Sequence, residues 1–202
     1  MIPLSVDDAA ALLCAGGVAG IPTDTVYGLA CDPTSVAGVE RVYAVKHRPA
    51  GLELSLLAAS ADALAVHGDL GPLALALGQR FWPGPLSLVV PLRPPRRLVI
   101  PRAGATISVR VPDHDLLRSL LARTGPLAST SANRHGAPPA LTAAEVMATF
   151  GDELDGVLDG GRCGGVASTI IDVSEVPPRV LRPGPVPGEA LRPYLGGAFT
   201  HP

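Results

Sequence analysis

The sequence predicts an α/β fold, a twisted mixed β-sheet with helices packed on it. Three observations predict it. Apolar runs of strand length recur along the chain, as at Leu86 to Pro91. Segments with apolar residues at helical spacing alternate with them, as at Val39, Val42 and Val45. Several connections are short enough for hairpins, which a purely parallel sheet does not allow.

Taken in order, a first helix is expected from Val6 to Ala15, capped by Ser5 with Asp8 three residues on and stopped by Gly16-Gly17. Val18 to Ile21 reads as a strand opening into the polar loop PTDTVYG, residues 22–28. A second helix starts near Ser35 and ends at Lys46 and Arg48, where Pro49 opposes continuation. Leu54 to Ala59 is a buried strand, followed by helical segments at 61–67 and 72–81. Leu86 to Pro91 and Thr106 to Val111 are strands, the second alternating Ile107, Val109 and Val111 against Ser108 and Arg110. Asp113 to Arg123 is a helix ending at Gly125, and Leu127 to Ser129 is a strand entering the loop STSANRHG. Thr142 with Glu145 forms a capping box for a helix to Phe150. Strands at 156–158, 169–173 and 180–182 follow, then a terminal helix at 189–195. The proline-rich stretch 91–101 reads as an excursion between strands, so residues 1–202 form one domain.

Composition narrows the function classes. Apolar residues make up 47% of the chain and charged ones 17%, which excludes a disordered polymer. A net charge of −2 and few aromatics give neither a global basic field nor a base-stacking surface. Cys14, Cys31 and Cys163 lack metal-ligand spacing, so no metal site is expected, and isolated thiols suit a reducing cytoplasm. The N-terminus carries acids where a signal peptide carries bases, and no stretch is long and apolar enough to span a bilayer. Every basic side chain except Lys46 is arginine. Lys46 is either a chance survivor or a site where a compact ammonium is needed.

Polar clusters follow strands or helix ends, where open α/β sheets place ligands. They are Pro22 to Gly28, Lys46-x-Arg48-Pro49, Ser108 to Pro112, and Ser129-Thr130-Ser131-Ala132-Asn133, with Ser168-Thr169 and Arg182-Pro183-Gly184 as weaker members. Singly, most have ordinary readings: PTDT as a turn, Lys46 and Arg48 as a solvated helix end, Arg110 as a surface residue. STSAN offers several convergent donors of the kind a phosphate or ribose needs, though such loops also merely terminate strands. Neither a Walker loop nor a dinucleotide fingerprint is present, so side chains must hold any nucleotide.

Together the strings PTDTVYGLACDP, KHRP, FWPGPLSLVV, SVRVPDH, STSAN, STIIDV and LRPG, running in order from residue 5 to residue 188, resemble the YrdC-like family of threonylcarbamoyl-adenylate synthases. The resemblance implies a twisted sheet around a concave, electropositive cavity. It also implies a nucleotidyltransferase that condenses L-threonine, bicarbonate and ATP to threonylcarbamoyl-AMP and pyrophosphate. By matching position, Lys46 and Arg48 bind the ATP phosphates. Ser129, Ser131 and Asn133 hold the nucleotide, Ser168 and Arg182 close over it, and Thr25 and Arg110 contact threonine or the reacting carbonyl region. Mg2+ is expected on the polyphosphate, held chiefly by phosphate and water. The product passes to a separate transferase complex that modifies tRNA, and the sequence does not specify direct tRNA contact.

The chain departs from the family pattern after KxRP. Leu52 stands where a second lysine is usual and Glu53 where a proline is usual, so the cavity loses a cation and faces an added acid unless Glu53 points outward. Arg134, in an altered loop after STSAN, is a candidate to restore the charge. With no long C-terminal extension, the chain resembles the short, single-domain form. Two rivals remain: a paralogous enzyme of the same fold with another acceptor, and a non-catalytic RNA-binding module.

Overall fold

The structure, a computed structural model, describes residues 2–47, 53–93, 98–100 and 104–195. Among these, ten strands form one sheet and seven α-helices pack on it. The strands are β1 (Ile2–Leu4), β2 (Ala19–Ile21), β3 (Gly28–Cys31), β4 (Ser55–Leu57), β5 (Leu86–Pro91), β6 (Thr106–Arg110), β7 (Leu127–Ser131), β8 (Gly156–Leu158), β9 (Thr169–Asp172) and β10 (Arg179–Arg182). Their order across the sheet is β1-β8-β2-β3-β7-β4-β6-β5-β9-β10. Parallel pairs such as β4 with β6 and β5 with β9 sit beside antiparallel ones, giving the expected mixed sheet. The helices are α1 (Val6–Cys14), α2 (Val36–Lys46), α3 (Ala61–Ala65), α4 (Pro72–Phe81), α5 (Asp115–Thr124), α6 (Ala143–Phe150) and α7 (Gly188–Leu195).

Local chemistry sets the helix starts. Ser5 and Asp8 form the full capping box: the Ser5 hydroxyl accepts from the Asp8 N–H, and the Asp8 carboxylate accepts from the Ser5 N–H. Such caps contribute about 0.5–2 kcal/mol. Ser35 caps α2 in the same way, accepting from the Gly38 N–H. At α6 only half the expected box forms, because the Glu145 carboxylate accepts from the Leu141 N–H instead of that of Thr142. His114 caps α5, so this helix starts two residues later than Asp113.

Two strands go beyond the sequence reading. Ile2–Leu4 pairs only with β8, and three residues with a central proline carry no alternation to detect. Gly28–Cys31 follows the polar loop directly; its four residues are all buried and give no period-two pattern. It lies antiparallel to both β2 and β7.

Helix placement creates the cavity. One sheet face, with Leu29, Leu56, Leu88 and Val109, is covered by α2, α3, α4, α6 and α7 through residues such as Val42, Leu64, Leu77, Phe150 and Leu191. On the other face α1 and α5 cover only part, packing Leu13, Leu117 and Leu121 on Ile21, Ala30, Leu57 and Leu127. Beyond them the same face turns polar. Ser129 pairs with Ser55, Ser55 with Ser108 and Ser108 with Val89, and residues directly opposite in paired strands share a face. Among the described residues no helix is long and apolar enough to cross a membrane.

Candidate active site

The uncovered part of the sheet is the floor of a cavity of about 320 Å³. Ser129 and Ser131 from β7, Ser55 from β4, Arg110 from β6 and Ser87 from β5 line it, with Thr25, Ser168 and Arg182 from the surrounding loops and edge. Glu53 also lines it.

The PTDTVYG loop is shaped around one hydroxyl. Thr23 Oγ1 donates to the Val26 carbonyl (2.7 Å) and accepts from the N–H groups of Thr25 (3.0 Å) and Val26 (3.1 Å). The Thr25 hydroxyl lies 2.9 Å from it. Tyr27 anchors the loop's far end, its hydroxyl donating to the Gly161 carbonyl at 2.9 Å and accepting from the Gly160 N–H at 3.1 Å. Burial pushes that phenol up to about 12.

Arg110 is buried, at 5% exposure, and reaches three places at once. Its Nε donates to the Gly84 carbonyl (2.9 Å), Nη1 to the Thr25 hydroxyl (2.9 Å) and Nη2 to Asp24 (2.5 Å). Burial lowers its pKa while the Asp24 carboxylate opposes that shift. Across the cavity Arg182 donates to the Ser168 carbonyl (3.0 Å) and hydroxyl (3.1 Å), and the Ser168 hydroxyl lies 2.9 Å from that of Ser87. Burial and the nearby Arg110 charge both lower the Arg182 pKa. Both guanidinium groups line the cavity, with Arg110 paired to Asp24. Gly184 lets this edge close in: a Cβ there would lie 2.4 Å from the Thr169 nitrogen and 2.6 Å from the Ala167 carbonyl oxygen.

Behind the β7 end of the cavity stands Lys46, at 1% exposure. Its Nζ donates to the carbonyls of Ser131 (2.5 Å) and Asn133 (2.8 Å) and to Asn133 Oδ1 (2.9 Å). Asn133 Oδ1 also accepts from the Ser131 hydroxyl (2.6 Å), and Asn133 Nδ2 donates to the carbonyls of Arg134 and Ala137.

Comparison with known proteins shows the family and the fold. Residues 11–184 match the profile of the Sua5/YciO/YrdC family, described as telomere recombination. The chain belongs to the Sua5/YciO/YrdC family. Over 96% of its length it is 36% identical to the threonylcarbamoyl-AMP synthase of Pyrococcus abyssi, and over 77% it is 41% identical to that of Chromohalobacter salexigens, covering 86% of the latter. The crystal structure of P. abyssi Sua5 complexed with L-threonine superimposes with a TM-score of 0.88 at 36% identity, covering 95% of this chain and 57% of that one. Escherichia coli YciO superimposes with a TM-score of 0.84 at 26% identity, covering 94% and 92%. The chain spans 58% of the P. abyssi synthase and 56% of its Bacillus subtilis counterpart, so it matches little more than half of these proteins.

In this Sua5/YciO/YrdC chain the site residues expected from sequence divide into three groups. Thr25, Arg110, Ser129, Ser131, Ser168 and Arg182 come together on the cavity wall. Lys46 and Asn133 are not on that wall: the Lys46 ammonium donates to the carbonyls of Ser131 and Asn133 and to Asn133 Oδ1. Arg48 and Leu52 lie outside the described residues.

Arg134 does not restore a cavity cation either. It binds both carboxylate oxygens of Glu153, donates to the carbonyls of Val45 and Thr149, and lies over the Phe150 ring at 5.0 Å. Its pKa is raised chiefly by the hydrogen bond to Glu153. Glu53, by contrast, does face the cavity.

Two lining residues, Ser55 and Ser87, were not among the expected ones. Each is a single serine in an otherwise apolar run, LSLLAA and PLSLVV. A hydroxyl inside a run read as fully buried is the signal that one sheet face lacks an apolar cover.

Proposed function

We propose that the chain carries L-threonylcarbamoyladenylate synthase activity, condensing L-threonine, bicarbonate or CO2, and ATP to threonylcarbamoyl-AMP with release of pyrophosphate. The observation that carries this reading is the match over nearly the whole chain to the P. abyssi synthase, whose structure is known with L-threonine.

The chemistry suits the cavity. The threonine amine adds to CO2, forming the carbamate N–C bond and releasing a proton. A carbamate oxygen then attacks the α-phosphorus of ATP, and the bond to the pyrophosphate leaving group breaks. Both reactants are anionic, so the barrier contains their repulsion as well as lost entropy. Holding both in place supplies up to about 7–11 kcal/mol. Thr25 and Arg110 receive the threonine end. Ser129 and Ser131 hold the nucleotide, with Asn133 supporting Ser131, and Ser168 and Arg182 close over it. Arg48 supplies a phosphate-facing cation. No covalent nucleophile is required.

Among the described residues no group of three or more His, Cys, Asp or Glu converges, and Glu53 is the one carboxylate among those lining the cavity. Mg2+ would be held mainly by phosphate and water, with Glu53 the carboxylate on the cavity wall, and would neutralise phosphate charge. The product, made in the cytoplasm, is used by a separate transferase complex acting on tRNA.

The test is pyrophosphate release from ATP with threonine and bicarbonate omitted in turn. Release that needs both is expected, and release indifferent to either rules the synthase out. Glu53 on the wall favours one second reading, a paralogue with another acceptor. It predicts release that depends on a compound other than threonine.

A further inference from the structure

The geometry points to Lys46 as a positioning residue that shapes the loop 131–137 from behind and does not itself touch phosphate. What that loop binds rests on the ATP reading above; how it is held does not.

Three oxygens from two residues of one loop converge on the ammonium: Ser131 O, Asn133 O and Asn133 Oδ1, at 2.5, 2.8 and 2.9 Å. An ammonium carries three protons on one atom, whereas a guanidinium spreads its donors over a planar fork. A point of convergent acceptors at 1% exposure therefore selects lysine, which accounts for the one lysine in a chain that otherwise uses arginine.

The same contacts fix the Asn133 amide. Its oxygen faces two donors, Lys46 Nζ and the Ser131 hydroxyl, while its nitrogen faces the carbonyls of Arg134 and Ala137. Turning the amide over would set its NH2 group against the ammonium. The Ser131 proton is thereby committed to Asn133, leaving the Ser131 oxygen to present lone pairs to the cavity it lines.

The end of α2 completes the brace. The last carbonyls of a helix lack intrahelical partners. Here the Val45 carbonyl accepts from Arg134 Nη1, and the Lys46 carbonyl accepts from the His135 N–H at 2.9 Å. His47 turns the chain away in the left-handed region, at φ 51° and ψ 41°. Helix end and loop thus satisfy each other, and Lys46 belongs to both halves of the exchange.

A phosphate ligand and a loop brace predict different losses. The dissociation constants of ATP and of adenosine are measured by calorimetry for the wild type, Lys46→Ala, Lys46→Met and Lys46→Arg. Hydrogen exchange of residues 131–137 is followed in the ligand-free proteins. Both ligands are expected to weaken by a common factor, roughly tenfold or more, because two carbonyls and an amide oxygen lose their donor. Lys46→Arg should not rescue binding, and the amides of Asn133, His135 and Ala137 should exchange faster.

Adenosine binding that survives while ATP binding falls would overturn the inference. So would rescue by Lys46→Arg, or unchanged loop exchange. Lys46→Met keeps the apolar stem and serves if Lys46→Ala does not fold. A wild type that binds neither ligand would sink the ATP reading, and loop exchange would then decide the brace alone.

Discussion

Lys46 and Arg110 are both buried cations, one behind the β7 end of the cavity and one on its wall, but they are built into the fold differently. Lys46 donates to three uncharged oxygens of a single loop. The hydrogen bonds of Arg110 end on two separated segments: the Gly84 turn, and the adjacent Asp24 carboxylate and Thr25 hydroxyl of the PTDTVYG loop. The first arrangement shapes one loop locally. The second ties the PTDTVYG loop to the turn ahead of β5 and does so through an ion pair. Breaking them therefore has different costs, because an orphaned carbonyl loses only a dipole's partner whereas an orphaned guanidinium leaves a charge in the interior.

The largest effect is expected from Asp24→Ala. Arg110 keeps its charge at 6% side-chain exposure with its carboxylate gone. Truncating one member of a buried pair costs about 3–5 kcal/mol, and the lower end is expected because the Asp24 side chain is 14% exposed. Urea denaturation measures it. The double variant Asp24→Ala/Arg110→Met removes the orphaned charge and should recover part of the loss. A double variant as unstable as the sum of the two single changes would mean that the ion pair is not what distinguishes this end from the Lys46 end.

A smaller effect is expected on the Lys46 side from Arg134→Ala. Arg134 and Glu153 are partly exposed, at 29% and 47% of their side chains, so their attraction is screened by water. The variant also loses the carbonyl contacts to Val45 and Thr149 and the stacking on Phe150. A melting temperature a few degrees lower with an unchanged ATP dissociation constant is the expected result. A clear weakening of ATP would show that the α2 end needs Arg134 as well as Lys46 to hold the loop.

What the sequence made legible follows from how far each signal reaches. The Ser5 and Asp8 cap, the α2 start at Ser35 and the strands at 86–91 and 106–110 rest on neighbours a few residues apart, and they form where expected. The clustering of Thr25, Arg110, Ser131 and Arg182 was accessible through motif order, which carries long-range information that composition does not. The direction of Lys46 was not. Its place at the end of α2 is a local fact, but its partners lie 85 and 87 residues away. Arg134 illustrates the same gap. Only the fold brings Glu153, 19 residues on in the 3-10 turn just after α6, into its reach.

The smallest expected effect lies on the floor between the two ends. Ser55 and Ser108 face each other across β4 and β6 with their hydroxyls 2.9 Å apart, and Ser108 is buried while Ser55 lines the cavity. Ser55→Ala removes the hydroxyl partner of a buried group, at a cost of about 1 kcal/mol. Ser55→Ala/Ser108→Ala removes both polar groups, so neither is left without the other, and its stability should lie closer to the wild type than that of Ser55→Ala. Measured by thermal and urea unfolding, a double variant less stable than Ser55→Ala would show that Ser108 has a second partner worth keeping. Recovery in the double variant would place the floor apart from both ends: a neutral hydroxyl pair that can be deleted whole, between two cations that cannot.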